Sequence, residues 1–78
     1  MELKDVIKLH RERMNVSRAA LGRLIGASRS AVSKWENGEL RPGLSKIMKL
    51  AECFDVTETE LLHPKDETEE NEDIKNVQ

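Results

Sequence analysis

The sequence predicts an all-α fold of five short helices in one small domain. Apolar residues recur three and four apart along the chain, the spacing that places them on one face of a helix. Ser, Thr, Asn and Gly stand where such stretches begin and end. The length, 78 residues, suits a single domain with a modest core, and that core is mainly Leu, Ile and Val, since the chain has one Trp, one Phe and no Tyr.

Leu3, Ile7 and His10 recur at i, i+4 and i+7, with Val6 and Met14 adjacent. They predict an amphipathic first helix from Glu2 to about Met14, with Lys4, Lys8, Glu12 and Arg13 outward. Asn15 can end it, because Asn tolerates positive φ. His10 reads as a partly buried structural histidine rather than a ligand or a catalyst. Ser17 caps a second helix, in which Ala20, Leu21, Leu24 and Ile25 share one face. Gly26 follows, the residue type that tolerates the left-handed conformation at a helix end. Ser28 caps a third helix with Val32 and Trp35 inward, and Gly38 sits just past its end. Helix, short glycine-containing turn, helix is the spacing of a helix-turn-helix.

After Trp35 the chain reads ENGELRPG, where Asn37-Gly38 and Pro42-Gly43 are turn signals and predict a loop. A fourth helix is predicted from Leu44 to Phe54, with Leu44, Ile47, Leu50, Ala51 and Phe54 as its apolar stripe. Thr57 with Glu60 three later is a capping box for a short fifth helix, and Val56 with Leu61 forms a hydrophobic staple across its start. His63-Pro64 ends the folded part, which places the domain at 1–63. Residues 64–78 read as a disordered acidic tail or hinge, with two aliphatics and no periodicity.

The net charge of −2 conceals a division. Residues 63 to 78 hold two Lys and six acids, a balance of −4. Between Lys8 and Lys49 there are ten Lys and Arg against three acids, a balance of +7. Basic charge concentrated around the two-helix motif is the electrostatic footprint of nucleic-acid binding. A single cysteine, Cys53, allows no disulfide framework and no Cys/His metal spacing, which fits a reducing cytosol and a cytoplasmic protein. No stretch is long or apolar enough for a signal peptide or membrane span. Nothing calls for a cofactor. Catalysis has no support either: there are no paired acids in a pocket-forming context, no Ser/His/Asp arrangement and no phosphate-cradling glycine loop, and His10 and His63 stand apart.

The outer face of the third helix is where chemistry concentrates. Ser28, Arg29, Ser30, Ser33 and Lys34 project away from Val32 and Trp35, with no acid before Glu36. Short hydroxyl side chains allow close approach to base edges, and Arg can bond guanine bidentately. A merely solvated face is the plain alternative, and the tight turn and surrounding cations weigh against it.

The stretch from Ser17 resembles the helix-turn-helix of Cro and the temperate-phage repressors, within the large bacterial Xre-type regulator family. That family's pattern runs Ser-Gln, Leu-Ala, Leu-Gly-Val-Ser, Ile-Ser-x-Trp-Glu-x-Gly, then x-x-Pro. Here it reads Ser17-Arg18, Leu21-Gly22, Ile25-Gly26-Ala27-Ser28, Val32-Ser33-Lys34-Trp35-Glu36-Asn37-Gly38 and Pro42. The match continues to Leu62, and it implies a five-helix lambda-repressor-like DNA-binding domain. Three departures stand out, one of them His10 in the first helix, where relatives often carry Leu. Arg18 replaces a Gln that in relatives commonly touches the DNA backbone, and Gly22 stands where Ala is usual.

The resemblance implies base readout by Ser28, Arg29, Ser30, Ser33 and Lys34, and phosphate contacts by Arg18, Asn37, Arg41 and Lys46. It also implies an Arg11–Glu36 pair locking the first helix to the end of the third. The expected partner is a double-stranded DNA operator, partly palindromic and bound by a homodimer that forms in solution or only on DNA. Val56, Leu61 and Leu62 are candidates for the dimer interface, since Leu61 and Leu62 exceed what so short a helix needs; the plain alternative is that both leucines close the core. A repressor is the leading expectation. The alternative is an antitoxin-type interaction protein that binds a toxin and autoregulates its operon. The tail resembles the acidic hinge that in larger phage repressors leads to a C-terminal regulatory domain.

Overall fold

The computed structural model describes residues 1–64, and all its regular structure is helical: α1 (Leu3–Arg13), α2 (Arg18–Ile25), α3 (Arg29–Asn37), α4 (Leu44–Phe54) and α5 (Glu58–Leu62). The expected disordered tail lies outside the described residues beyond Pro64. No helix among the described residues is long and apolar enough to cross a membrane.

Local chemistry sets most helix ends. The Ser17 and Ser28 hydroxyls accept the Ala20 and Ala31 N–H groups, each at 3.0 Å, so each serine satisfies a first-turn donor. Gly26 and Gly38 end α2 and α3 in the left-handed region, at φ 75° and 80°. Thr57 and Glu60 form the reciprocal capping box of α5: Thr57 Oγ1 accepts the Glu60 N–H at 3.0 Å, and Glu60 Oε1 accepts the Thr57 N–H at 2.8 Å. Asn15 and Asp55 take positive φ, 60° each, at the exits of α1 and α4. α1 and α4 start at Glu2 and Gly43 with no side-chain cap.

Val6, Ile7, Leu21, Ile25, Val32, Trp35, Ile47, Leu50, Ala51, Phe54 and Leu61 form one buried cluster. α1 packs on α3, α4 and α5; α2 lies against both α3 and α4. His10 is half-buried and its ring stacks on Phe54, with centroids 5.0 Å apart.

Three expectations need correction. The α2 face is rotated: Leu21, Gly22 and Ile25 are buried, whereas Leu24 is 59% exposed and lines a shallow groove with Lys49, Glu52 and Cys53. Gly22, with no side chain, is the residue turned toward the Ala27–Ser28 turn, and Leu24 is carried outward. Leu44 is 69% exposed, because the α4 stripe enters the core only at Ile47 and Leu44 lies in the helix's first turn beside exposed Gly43. The third helix also runs further than expected: Glu36 and Asn37 belong to α3 rather than to the loop.

Candidate nucleic-acid interface

The α2–α3 unit depends on a close backbone approach. A Cβ at Gly22 would stand 2.5 Å from the Ala27 carbonyl oxygen, so the turn passes directly over the glycine. The Ala27 N–H in turn donates to the Gly22 carbonyl at 2.8 Å. Together these fix how α3 leaves α2.

On α3, Val32, Trp35 and Glu36 are buried. Ser30, Lys34 and Asn37 are exposed and Ser33 half-buried, and at three- and four-residue spacing they line the opposite face. Arg29 is exposed at the edge of that face. Ser28 is exposed just ahead of it, and its hydroxyl is already engaged as the cap. The structure thus brings the five candidate base-reading residues together on one helix and its cap, and adds Asn37, which the sequence reading had set in the loop. Asn37 Nδ2 donates to Glu39 Oε1 at 3.4 Å. Arg41 is exposed in the loop between Gly38 and Gly43. Lys46, half-buried on α4, reaches the turn: a Cβ at Gly26 would lie 3.9 Å from its Nζ. A cation there also complements the C-terminal end of the α2 dipole.

Behind α3 sits a buried carboxylate with two arginines. Arg11 Nε donates to Glu36 Oε2 at 2.6 Å and Arg11 Nη2 to Glu36 Oε1 at 3.1 Å. Arg11 Nη1 donates to the Val16 carbonyl at 2.9 Å. The bond to Glu36 holds the Arg11 guanidinium above its ordinary value, against the opposing effect of burial. Arg18 Nε donates to Glu36 Oε1 at 3.0 Å. The sequence points Arg18 at phosphate and gives no sign of this bond. Only the general expectation that a buried carboxylate needs all its acceptor positions filled pointed toward a second partner.

The dimer candidates divide. Leu61 is 0% exposed, sealed in the core by α1 and α4, and cannot form an intersubunit surface. Val56 and Leu62 are half-buried and pack against that core. The exposed large apolar residues lie elsewhere: Leu40, Leu44 and Met48, together with Leu24, Met14 and Met1.

The model of a family described as "Helix-turn-helix" matches residues 7–61, from within α1 to the end of the core in α5. The chain belongs to this helix-turn-helix family, that of Cro and the temperate-phage repressors. This helix-turn-helix chain is 29% identical over 82 residues to the HTH-type transcriptional activator BcrR of Enterococcus faecalis, an alignment covering 99% of the chain and 40% of the relative. It is 30% identical over 56 residues to repressor protein C2 of Salmonella phage P22, covering 72% of the chain and 26% of the relative. The chain therefore spans well under half the length of these curated relatives. Among solved structures it is similar to the P22 c2 repressor in complex with a synthetic operator, with TM-score 0.80 and 26% identity over 83% of this chain and 98% of that one. The solution structure of the P22 c2 repressor DNA-binding domain matches with TM-score 0.74 and 26% identity, over 78% and 80% of the two chains.

Proposed function

We propose that this helix-turn-helix chain binds double-stranded DNA and regulates transcription as a repressor, with α3 as the helix that enters the major groove. One observation carries the reading. Ser30, Ser33 and Lys34 make an outer face with no carboxylate of the helix on it, Asn37 at its end meets Glu39 of the loop, and the other face is anchored by Val32 and Trp35. Arg29, Ser30, Ser33 and Lys34 reach base edges, and Ser28 sits at the helix entry. Arg18, Asn37, Arg41 and Lys46 take phosphates, which sets register without reading sequence. The similarity to an operator-bound repressor supports the same reading. Two copies bind a partly palindromic operator, their α3 helices about 34 Å apart in successive major grooves. Repression follows where that operator overlaps a promoter.

Selection from random duplex DNA, repeated at two salt concentrations, tests this. The expected result is a palindrome with half-sites about one helical turn apart. Arg29→Ala should then relax one base position at a loss of about 1–3 kcal/mol. Weak, purely salt-driven binding with no enriched sequence would sink the reading for this chain.

A further inference from the structure

Arg18 stands where the family pattern has Gln, and it is tied to the interior. Its Nε is committed to Glu36 Oε1 at 3.0 Å. The Glu36 side chain is 1% exposed, whereas that of Arg18 is 38% exposed. Glu36 itself cannot swing, because Arg11 holds both of its oxygens from the α1 side. A guanidinium is planar and rigid. Fixing its Nε to a clamped carboxylate therefore turns the end-on fork of Nη1 and Nη2 aside from Glu36, with one Nη2 hydrogen left on the carboxylate side. Among the described residues neither Nη nitrogen has a hydrogen-bond partner. Arg18 is also the first residue of α2, where the helix dipole adds to the attraction for an anion.

From this we infer that Glu36 is a positioning residue for DNA binding: it holds Arg18 so that both Nη nitrogens grip one backbone phosphate. The inference rests on the DNA-binding reading above. Two-pronged Arg–phosphate pairing is the geometry this fork is built for. A chain of contacts then runs from α1 through the end of α3 to a phosphate at the start of α2. Charge alone predicts the opposite role for Glu36, since a carboxylate near the DNA repels it.

Two variants of the full chain separate these accounts, each measured against a labelled duplex of mixed sequence between about 50 and 200 mM salt. Arg18→Lys keeps the charge and leaves the Arg11–Glu36 pair intact, but one ammonium cannot hold Glu36 and fork a phosphate. It should bind about three- to tenfold more weakly, with the salt slope reduced by about 0.9. Glu36→Gln should weaken binding in the parent by a similar factor and leave an Arg18→Gln background unchanged. Arg18→Lys binding like the parent, with the same slope, overturns the inference. So does an equal loss from Glu36→Gln in both backgrounds, which would mark a structural role through Arg11 only. If Glu36→Gln does not fold, Arg18→Lys decides alone. Absence of any salt-dependent duplex binding by the parent overturns the DNA-binding reading as well, whereas parental binding with an unaffected Arg18→Lys overturns only the role of Glu36.

Discussion

The α2–α3 pair and the α4–α5 pair are held by different means. In the first, every terminus is set by a specific residue: Ser17 and Ser28 cap, Gly26 and Gly38 terminate, Gly22 admits the turn, and buried Glu36 anchors the far end. In the second, α4 starts uncapped at Gly43, exposes Leu44 and Met48, and ends on Asp55 at φ 60°, and the directional cap is confined to five-residue α5 with its Thr57–Glu60 box. Burial of Ile47, Leu50, Ala51, Phe54 and Leu61 secures it instead. Apolar burial is non-directional, so it fixes that a helix docks more firmly than how it is aimed. Caps, glycines and hydrogen-bonded charges are directional. The directional residues are concentrated where a helix must be presented to a partner at a defined angle.

The largest effect should fall on the apolar pair. Leu61 is fully buried in a helix of five residues, and Leu61→Ala should cost about 2–5 kcal/mol, a large share of a small domain's stability. Denaturant unfolding monitored through Trp35 reads this directly. A loss well under 1 kcal/mol would mean that α5 contributes little and that burial is not what secures the C-terminal half.

Gly22→Ala tests the opposite half. Alanine gains about 1 kcal/mol of helix propensity. Its Cβ would also stand 2.5 Å from the Ala27 carbonyl oxygen, a backbone atom that cannot swing aside, and such overpacking costs about 1–3 kcal/mol. The expected net is a loss of about 1 kcal/mol in thermal unfolding, together with weaker DNA binding as α3 is re-aimed. Unchanged stability and affinity would show that the turn yields and that the glycine sets nothing.

Ser28→Ala should cost about 1 kcal/mol, the usual value of a serine cap. Its hydroxyl accepts the Ala31 N–H and keeps its own O–H free to donate, so repeated operator selection separates the two roles: unchanged preferences mark a cap alone. A relaxed base pair would show that Ser28 reads DNA as well as capping. Leu44→Ser, by contrast, should change stability by no more than about 0.5 kcal/mol, because the side chain is 69% exposed. A larger loss would place Leu44 in a contact between copies, visible as a concentration-dependent melting temperature.

These contrasts also explain what could be read in advance. The α4 bounds, the Thr57–Glu60 box and the glycine exits of α2 and α3 depend on residues close in sequence, and local rules found them. The outer face of α3 was legible because Val32 and Trp35 define its opposite. Helical spacing says which residues share a face, but not how a helix is rolled. Leu24 was misplaced because the roll of α2 depends on Gly22 meeting a turn five residues on. Leu61 stands open between core and dimer interface in the sequence because nothing local reveals that α1 and α4 close over it. The bond from Arg18 to Glu36 joins positions 18 apart through a carboxylate already assigned to Arg11, and no local pattern encodes that.

The smallest effect concerns pH, and it lies on the apolar side. Burial against Phe54 lowers the His10 pKa from its ordinary 6.5; Arg13 pushes in the same direction, and Glu60 opposes both. The unfolded chain therefore binds a proton at His10 more readily than the folded one. Between the depressed folded value and 6.5 the unfolded state carries more protons, so stability rises with pH through that window. His10 imposes no penalty above 6.5, and its penalty is complete below the folded value. Melting temperatures taken across the window should climb in the parent, and His10→Leu should remove that part of the climb while leaving any shared acid-titration trend. An identical pH profile in both proteins would show that imidazole protonation is tolerated against Phe54. In that case the packing of α1 on α4 is loose enough to hydrate a charge, and the contrast between an aimed front and a packed back weakens at that seam.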